Sequence, residues 1–265
     1  MVRGFDCRPV IQTAIDFDAF RVTPENPHGY NDDNGVSVWR RFDKPECVPA
    51  WGDILKRAAA AIPACQGLIF WQPGGFNPRW PEGYSPDSHC IPPDVLPQIK
   101  AIATAARALG FWVGSLLRPG DLAYPVADGS LGTLQFTQLN ADIETMLAAR
   151  IVGQKAAGIG DAFYLDSFGF AGVDVQTSGW LRSVCSADCR LFAEWCNPNI
   201  SAYCGAYAEW WPPGQWLHYG PLLDVLKRRQ PVIAKDRTGL TGYNILAAWG
   251  KKQSVAPLVF GQDIP

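Results

Sequence analysis

Two periods of apolar residues alternate along the chain. Amphipathic stretches of helical spacing end at a Gly, Pro or Asn break and give way to short, nearly continuous apolar runs. Such alternation predicts βα units around a parallel sheet, because strands covered by helices on their outer face are apolar on both sides. The clearest helix spans 138–157, where Leu139, Ile143, Met146, Leu147 and Ile151 recur at helical spacing and Gly158 and Gly160 stop it. A second spans 94–109, with Val95, Ile99, Ile102, Ala106 and Leu109 on one face and Gly110 just beyond. Further helices are predicted near 51–61, 187–196, 221–229 and 241–251. Seven strands are predicted, at 10–17, 66–71, 111–117, 162–165, 200–208, 232–234 and 255–260. A closed (β/α)8 barrel needs an eighth, which either hides in 18–50, with 36–40 as its place, or is missing from an irregular barrel. A doubly wound sheet fits less well, because no strand runs into a G-x-G-x-x-G turn. The fold expected is a TIM-like α/β barrel in a single domain over 1–265, a length that suits one barrel core.

Composition narrows the function. With 23 Lys+Arg against 25 Asp+Glu the net charge is −2, and no basic block supplies the footprint a nucleic-acid binder needs. The apolar runs are far short of the roughly 20 residues that cross a bilayer, so no membrane span is expected. The first residues carry no apolar stretch with a small-residue cleavage site, so no signal peptide is expected either, and localisation stays open. The eight cysteines are dispersed rather than arranged as a disulfide framework. Cys185 and Cys189 form a C-x-x-x-C pair with Cys196 and Cys204 nearby; zinc, a disulfide and buried free thiols all remain open, and no metal is assigned. Only His28, His89 and His218 occur, without an H-x-H or H-E-x-x-H pair, so neither a catalytic metal nor any other cofactor is expected.

Candidate chemistry sits after the strands. The segments 18–50 and 72–93 are long, rich in Pro, Gly and aromatics, and follow strands, which in a barrel puts them at the C-terminal, active-site face. Asp166 ends the apolar run 162–165 and precedes a Gly turn; a carboxylate there faces the site more plausibly than the core. Asp161 begins the same run, at the opposite face, and reads as structural. Arg118 follows 111–117, and Glu209 follows 200–208 beside Trp210 and Trp211, whose rings would raise a neighbouring carboxyl's pKa as a general acid requires. Asp16 and Asp18, Asp236, and Gln262 with Asp263 close other strands. Carboxylates after many strands, with aromatics between them, suit glycoside chemistry, which works through a pair of carboxyls. The 11 Trp supply rings for sugar stacking, although core packing explains many of them equally well.

The stretches Gly110-Phe-Trp-Val-Gly-Ser-Leu-Leu-Arg-Pro119 and Phe163-Tyr-Leu-Asp-Ser-Phe-Gly169 resemble the third and fourth βα units of glycoside-hydrolase-like TIM barrels. The group resembled is the α-galactosidase-type enzymes and relatives with R-P and F-Y-x-D-S motifs. Residues 66–71 are similar to the preceding strand of that group and 256–263 to its last. The resemblance covers roughly residues 60–170 and short pieces elsewhere. It implies that Asp166 is the nucleophile of a retaining mechanism and that an acid/base residue comes from a later strand. That second motif is not reproduced, and Glu209 and Asp236 compete for the role. The expectation is a two-carboxylate glycosidase acting on an oligo- or polysaccharide, with Asp16, Trp71, Arg118, Tyr203, Trp210 and Gln262 lining sugar subsites. The alternative is a non-catalytic carbohydrate-binding or assembly protein on the same barrel. Oligomeric state is left open.

Overall fold

Apolar runs that are covered on both faces leave their backbone groups one outlet, the neighbouring strands on either edge. The computed structural model describes residues 10–13, 23–30, 38–62, 65–71, 73–74, 91–117, 121–122, 135–136, 141–166, 174–194, 199–211, 215–217, 232–236 and 256–260. Within them lie the strands β1 (Val10–Gln12), β2 (Gly67–Phe70), β3 (Trp112–Leu117), β4 (Ala162–Leu165), β5 (Arg190–Ala193), β6 (Gly205–Trp211), β7 (Val232–Asp236) and β8 (Ala256–Phe260). Each is parallel to the next, β8 returns to β1, and the β6–β7 pairing, from Ala206–Val232 to Trp210–Asp236, completes the ring. The chain is an α/β barrel of the TIM type.

Helices α1 (Cys47–Ala61), α2 (Leu96–Ala108), α3 (Ala141–Ala157) and α4 (Asp174–Val184) follow the first four strands. Gly110 and Gly158 both take φ of +82°, the left-handed conformation that ends a helix, as their positions in the sequence predict. Val95, Ile99, Ile102 and Ala106 are buried as expected, but Leu109 is 42% exposed because α2 has already ended. Membrane crossing is excluded for the described helices, none of which is long and apolar enough.

The eighth strand is not where the sequence placed it. Residues Val38–Arg40 form a 3-10 turn, and the missing strand is β5, inside the segment 187–196 predicted as a helix. A four-residue apolar run satisfies either period, and here pairing to β4 and β6 decides it. The strand predicted at 200–208 also shifts: Ile200–Ala202 is a 3-10 turn, and β6 begins only at Gly205. The helix α4 was not foreseen. The predicted helices at 221–229 and 241–251 lie outside the described residues.

Strand alternation sorts the core into two layers. Val10, Ile69, Trp71, Trp112, Leu116, Ala162, Tyr164 and Phe192 cluster inside the ring. Ile11, Leu68, Phe70 and Val113 point the other way and pack with α1 and α2, through Trp51, Leu55, Ile99 and Ile102 among others. Large and small residues interlock inside: a Cβ at Gly67 would meet the Trp112 ring at 2.2 Å, and one at Gly114 would lie 2.6 Å from the Ala162 carbonyl oxygen. Outside, Ser115 donates to the Gln154 side chain, whose amide donates to the Leu116 carbonyl at 3.0 Å and so anchors α3. At the N-terminal end Asp161 accepts the Val113 N–H at 2.9 Å and pairs with Arg107 at 2.7 Å. That ion pair is more than a third exposed and contributes less than about 1 kcal/mol; Asp161 lies at the N-terminal end of β4, the face where the sequence places it.

Two measurements test this packing. Gly114→Ala should destabilise by about 1–3 kcal/mol, because the Ala162 backbone cannot yield, and should lower the denaturant midpoint without changing the slope. The second concerns Cys47, whose thiol is pushed up to about 12 by burial and by the nearby Asp43 and Glu46 charges, from an ordinary value of 9.0. The folded chain then keeps a proton that the unfolded chain releases. The resulting stability is complete below about pH 9 and is lost as pH rises towards 12, by up to about 1.4 kcal/mol per pH unit. Unfolding titrations at pH 8 to 11 should show a shallower alkaline loss in Cys47→Ala than in the parent chain.

Candidate active site

The C-terminal end of β4 carries the first candidate residue. Asp166 follows Leu165, is 4% exposed, and donates its backbone N–H to the Leu117 carbonyl at 3.0 Å, which holds it at the last rung beside β3. Alternation from Ala162 and Tyr164, both inside the ring, places Asp166 in the inward set.

Glu194 stands next to it. Leu165 and Ala193 are register partners, and the Glu194 N–H donates to the Leu165 carbonyl at 3.2 Å, so Asp166 and Glu194 are each the next residue after a matched pair. Phe192 is inside the ring, hence Glu194 also falls in the inward set, on a backbone about 5 Å from that of Asp166. Sequence reasoning missed Glu194. The signal is present, a carboxylate just past an apolar run, but the spacing of 187–196 points to a helix instead of a strand.

The structure treats the other candidates differently. Glu209 does not follow a strand; it lies within β6, in register with Lys235, while Asp236 is the last residue of β7, in register with Trp210. Gly205 is the register partner of Phe192, and Glu209 lies four residues further along β6. Trp210 follows Glu209 in the part of β6 that pairs antiparallel with Gln215–Leu217. Trp71 is 3% exposed and packs on Tyr164, ring centroids 5.2 Å apart. Tyr203 precedes β6 at the N-terminal end, near Gly179 of α4, and is not brought to the mouth; its expected place depended on a strand beginning at Ile200. Asp16, Asp18, Arg118, Gln262 and Asp263 lie outside the described residues.

Polar clamps shape the mouth. The Thr13 hydroxyl accepts the Trp71 N–H at 2.6 Å and donates to the Trp71 carbonyl at 3.3 Å, locking the ends of β1 and β2 together. Asn26 caps the backbone of Tyr30 in both directions, and the Tyr30 hydroxyl donates to the Pro73 carbonyl at 2.8 Å, joining the loop after β1 to the loop after β2. Burial, with Asp43 and Asp94 nearby, holds the Tyr30 phenol well above its ordinary pKa, so it stays a donor. Arg41 makes a two-pronged contact with Asp43 at 2.8 and 2.6 Å and reaches the Glu25 carbonyl, pinning the loop's return. His28 meets Asp94 at 2.9 Å. Among the described residues no group of three or more His, Cys, Asp and Glu is arranged to hold a metal ion.

With this geometry in view, solved structures provide the comparison. The chain is similar in fold to glycoside-hydrolase barrels. An alpha-amylase from Geobacillus thermoleovorans, solved with acarbose, aligns at a TM-score of 0.55 and 13% identity over 97% of this chain and 71% of that one. An alpha-amylase from Lactobacillus plantarum aligns at 0.51 and 12% identity, over 96% and 70%. The glycoside hydrolase domain of PelA from Pseudomonas aeruginosa gives 0.49 and 13% identity, over 76% and 89%. At such identities the likeness shows the barrel and leaves the chemistry to the site. No family model and no curated protein sequence matches the chain.

The Thr13 clamp is directly testable. Thr13→Val removes both bonds to the Trp71 backbone, so it should cost about 1–3 kcal/mol in a denaturant titration, while Thr13→Ser should retain most of the stability.

Proposed function

We propose that the protein is a glycoside hydrolase acting on an oligo- or polysaccharide by a retaining two-carboxylate mechanism. The observation that carries this reading is the buried Asp166 at the C-terminal mouth, with a second carboxylate position, Glu194, on the same rung of the adjacent strand. Asp166 attacks the anomeric carbon as a carboxylate, and an acid protonates the departing oxygen, then accepts a proton from water as the glycosyl-enzyme is hydrolysed. Retention needs the two carboxyl groups about 5–5.5 Å apart, and adjacent strands bring the backbones that carry them to about 4.8 Å of each other.

Two positions compete for the acid. Glu209 is the residue singled out by its tryptophan-rich surroundings, and Glu194 is favoured by its register beside Asp166. Asp236, the last residue of β7, is the third choice. Asp16, Arg118, Trp210 and Gln262 follow or lie near strand ends and are proposed to hold sugar hydroxyls and rings. The competing reading, a carbohydrate-binding barrel without turnover, rests on the burial of Trp71 against Tyr164, which shows that part of the aromatic content serves packing.

A screen of glycans and aryl glycosides, followed by anomeric NMR of the first products, tests the proposal. Asp166→Asn should lower turnover by about 10^4-fold or more with binding largely kept. Retained turnover in that variant would remove Asp166 as nucleophile, and binding without turnover in the parent chain would favour the non-catalytic reading. Glu194→Ala and Glu209→Ala assign the acid: only the true acid/base variant should regain turnover of an aryl glycoside when azide is added.

A further inference from the structure

Among the described residues Gln12, Gln66, Gln98 and Gln154 are buried, and all but the first have their amides paired. Gln154 bridges Ser115 and the Leu116 carbonyl, Gln98 donates to the Asp94 carbonyl at 2.8 Å, and Gln66 accepts the Trp112 ring N–H at 3.5 Å. Gln12 is the exception. It is 0% exposed, and neither its Oε1 nor its Nε2 has a hydrogen-bond partner among the described residues. A polar group taken out of water without a partner is destabilising, so folded proteins keep few of them, and each one calls for a reason.

The place of Gln12 supplies one. It is the last residue of β1, at the end of the barrel that carries Asp166. Two registers put it in the inward set: Val10, two residues earlier, lies inside the ring, and so does Ile69, its partner on β2. The next residue, Thr13, is fixed by its N–H on the Ile69 carbonyl at 2.9 Å and by the hydroxyl clamp on Trp71, so the backbone that carries the amide is held. From Gln12 the rung of paired residues runs through Ile69 and Gly114 to Ala162. Strands of an eight-stranded barrel are tilted, and such a rung sinks by about one residue per strand towards the N-terminal end. Asp166, four residues beyond Ala162, therefore stands about one residue above Gln12, and Glu194, just past the Leu165–Ala193 pair, comes level with it. Amide and carboxylates face one volume from different sides of the ring.

We propose that Gln12 is a substrate-binding residue of this site and that it selects a neutral hexose ring with two adjacent free hydroxyls, an inference that rests on the glycoside-hydrolase reading above. A primary amide offers N–H donors and a carbonyl acceptor side by side. A hydroxyl both donates and accepts, so a vicinal pair satisfies both ends: one hydroxyl accepts from Nε2 and its neighbour donates to Oε1. A carboxylate, as in a uronic acid, only accepts and leaves Oε1 unmatched. With the backbone held by Thr13, the amide reaches the sugar by rotation about its own side-chain torsions towards the mouth. It gains on binding the bonds that the fold itself does not give it, and that difference favours a sugar carrying the matching pair.

Methyl α- and β-glycosides of D-glucose, D-galactose and D-mannose, titrated into the uniformly isotope-labelled chain and followed by amide NMR, test the proposal. The Gln12 side-chain signal is identified as the one absent from Gln12→Met. At least one hexoside should move that signal, and Gln12→Met should bind it about tenfold more weakly or worse. The denaturant midpoint of Gln12→Met should equal or exceed that of the parent chain, because an apolar side chain of similar shape replaces an unpaired amide. Removing one of the paired hydroxyls from the sugar should weaken binding to the parent by a similar factor and to Gln12→Met hardly at all. A lower midpoint in Gln12→Met would assign the amide a partner within the fold, a buried water included, and would overturn the proposal. So would a hexoside that binds parent and variant equally. If no hexoside moves any signal, the glycosidase reading falls and this inference with it; a hexoside that binds with the Gln12 signal unmoved leaves that reading standing and removes the inference alone.

Discussion

Closing eight parallel strands into a ring imposes a parity on every one of them. Side chains alternate between faces, and registered neighbours in a parallel sheet share a face, so one inward residue sets the face of its partner and, step by step, of the whole circuit. Val10 pairs with Gly67, Gly67 with Trp112, and the same set continues through Ala162 and Phe192 to Gly205. A slip of one residue at any rung would turn Trp112 out of the barrel and Ser115 into it. The cost of that exchange, several buried apolar side chains at about 1.5–3 kcal/mol each, is what keeps the register unique.

The same parity selects the site. A carboxylate in mid-strand on the inward face would lose its hydration inside an apolar core, a penalty of several kcal/mol. At the last rung it borders the mouth instead. Asp166 and Glu194 occupy that rung on adjacent strands, and the clamps made by Thr13, Asn26, Tyr30 and Arg41 hold the rim. Rigidity here comes from hydrogen bonds between loop backbone and buried side chains, which position the mouth without filling it.

The two ends of the barrel consequently serve different ends. At the N-terminal face, Asp161 completes a ladder, Arg107 reaches the Gly158 carbonyl, and Arg190 lies over Trp112 with 5.1 Å between guanidinium carbon and ring centroid. These contacts close the bottom of the core. The turn between α4 and β5 belongs to this face as well, braced by Arg182 on the carbonyls of Ser186 and Cys189.

Helix periodicity, the Gly stops at 110 and 158, and the apolar runs at 66–71, 111–117 and 162–165 were legible in the sequence because each is a local consequence of which side chains must be buried. So was the place of Asp166, since a carboxylate immediately after an apolar strand has few low-energy positions other than the strand's end. β5 was not legible. Arg190–Ala193 is too short to declare a period, and among the described residues only a 3-10 turn links it to β6, so the usual rhythm of strand and long helix is interrupted there. Its identity as a strand comes from the backbone partners offered by β4 and β6, and with it came the place of Glu194. The sequence by itself determined which segments seek burial and where charge must stop; only the tertiary structure decided which residues become neighbours, because register is set by pairing between strands that lie far apart along the chain.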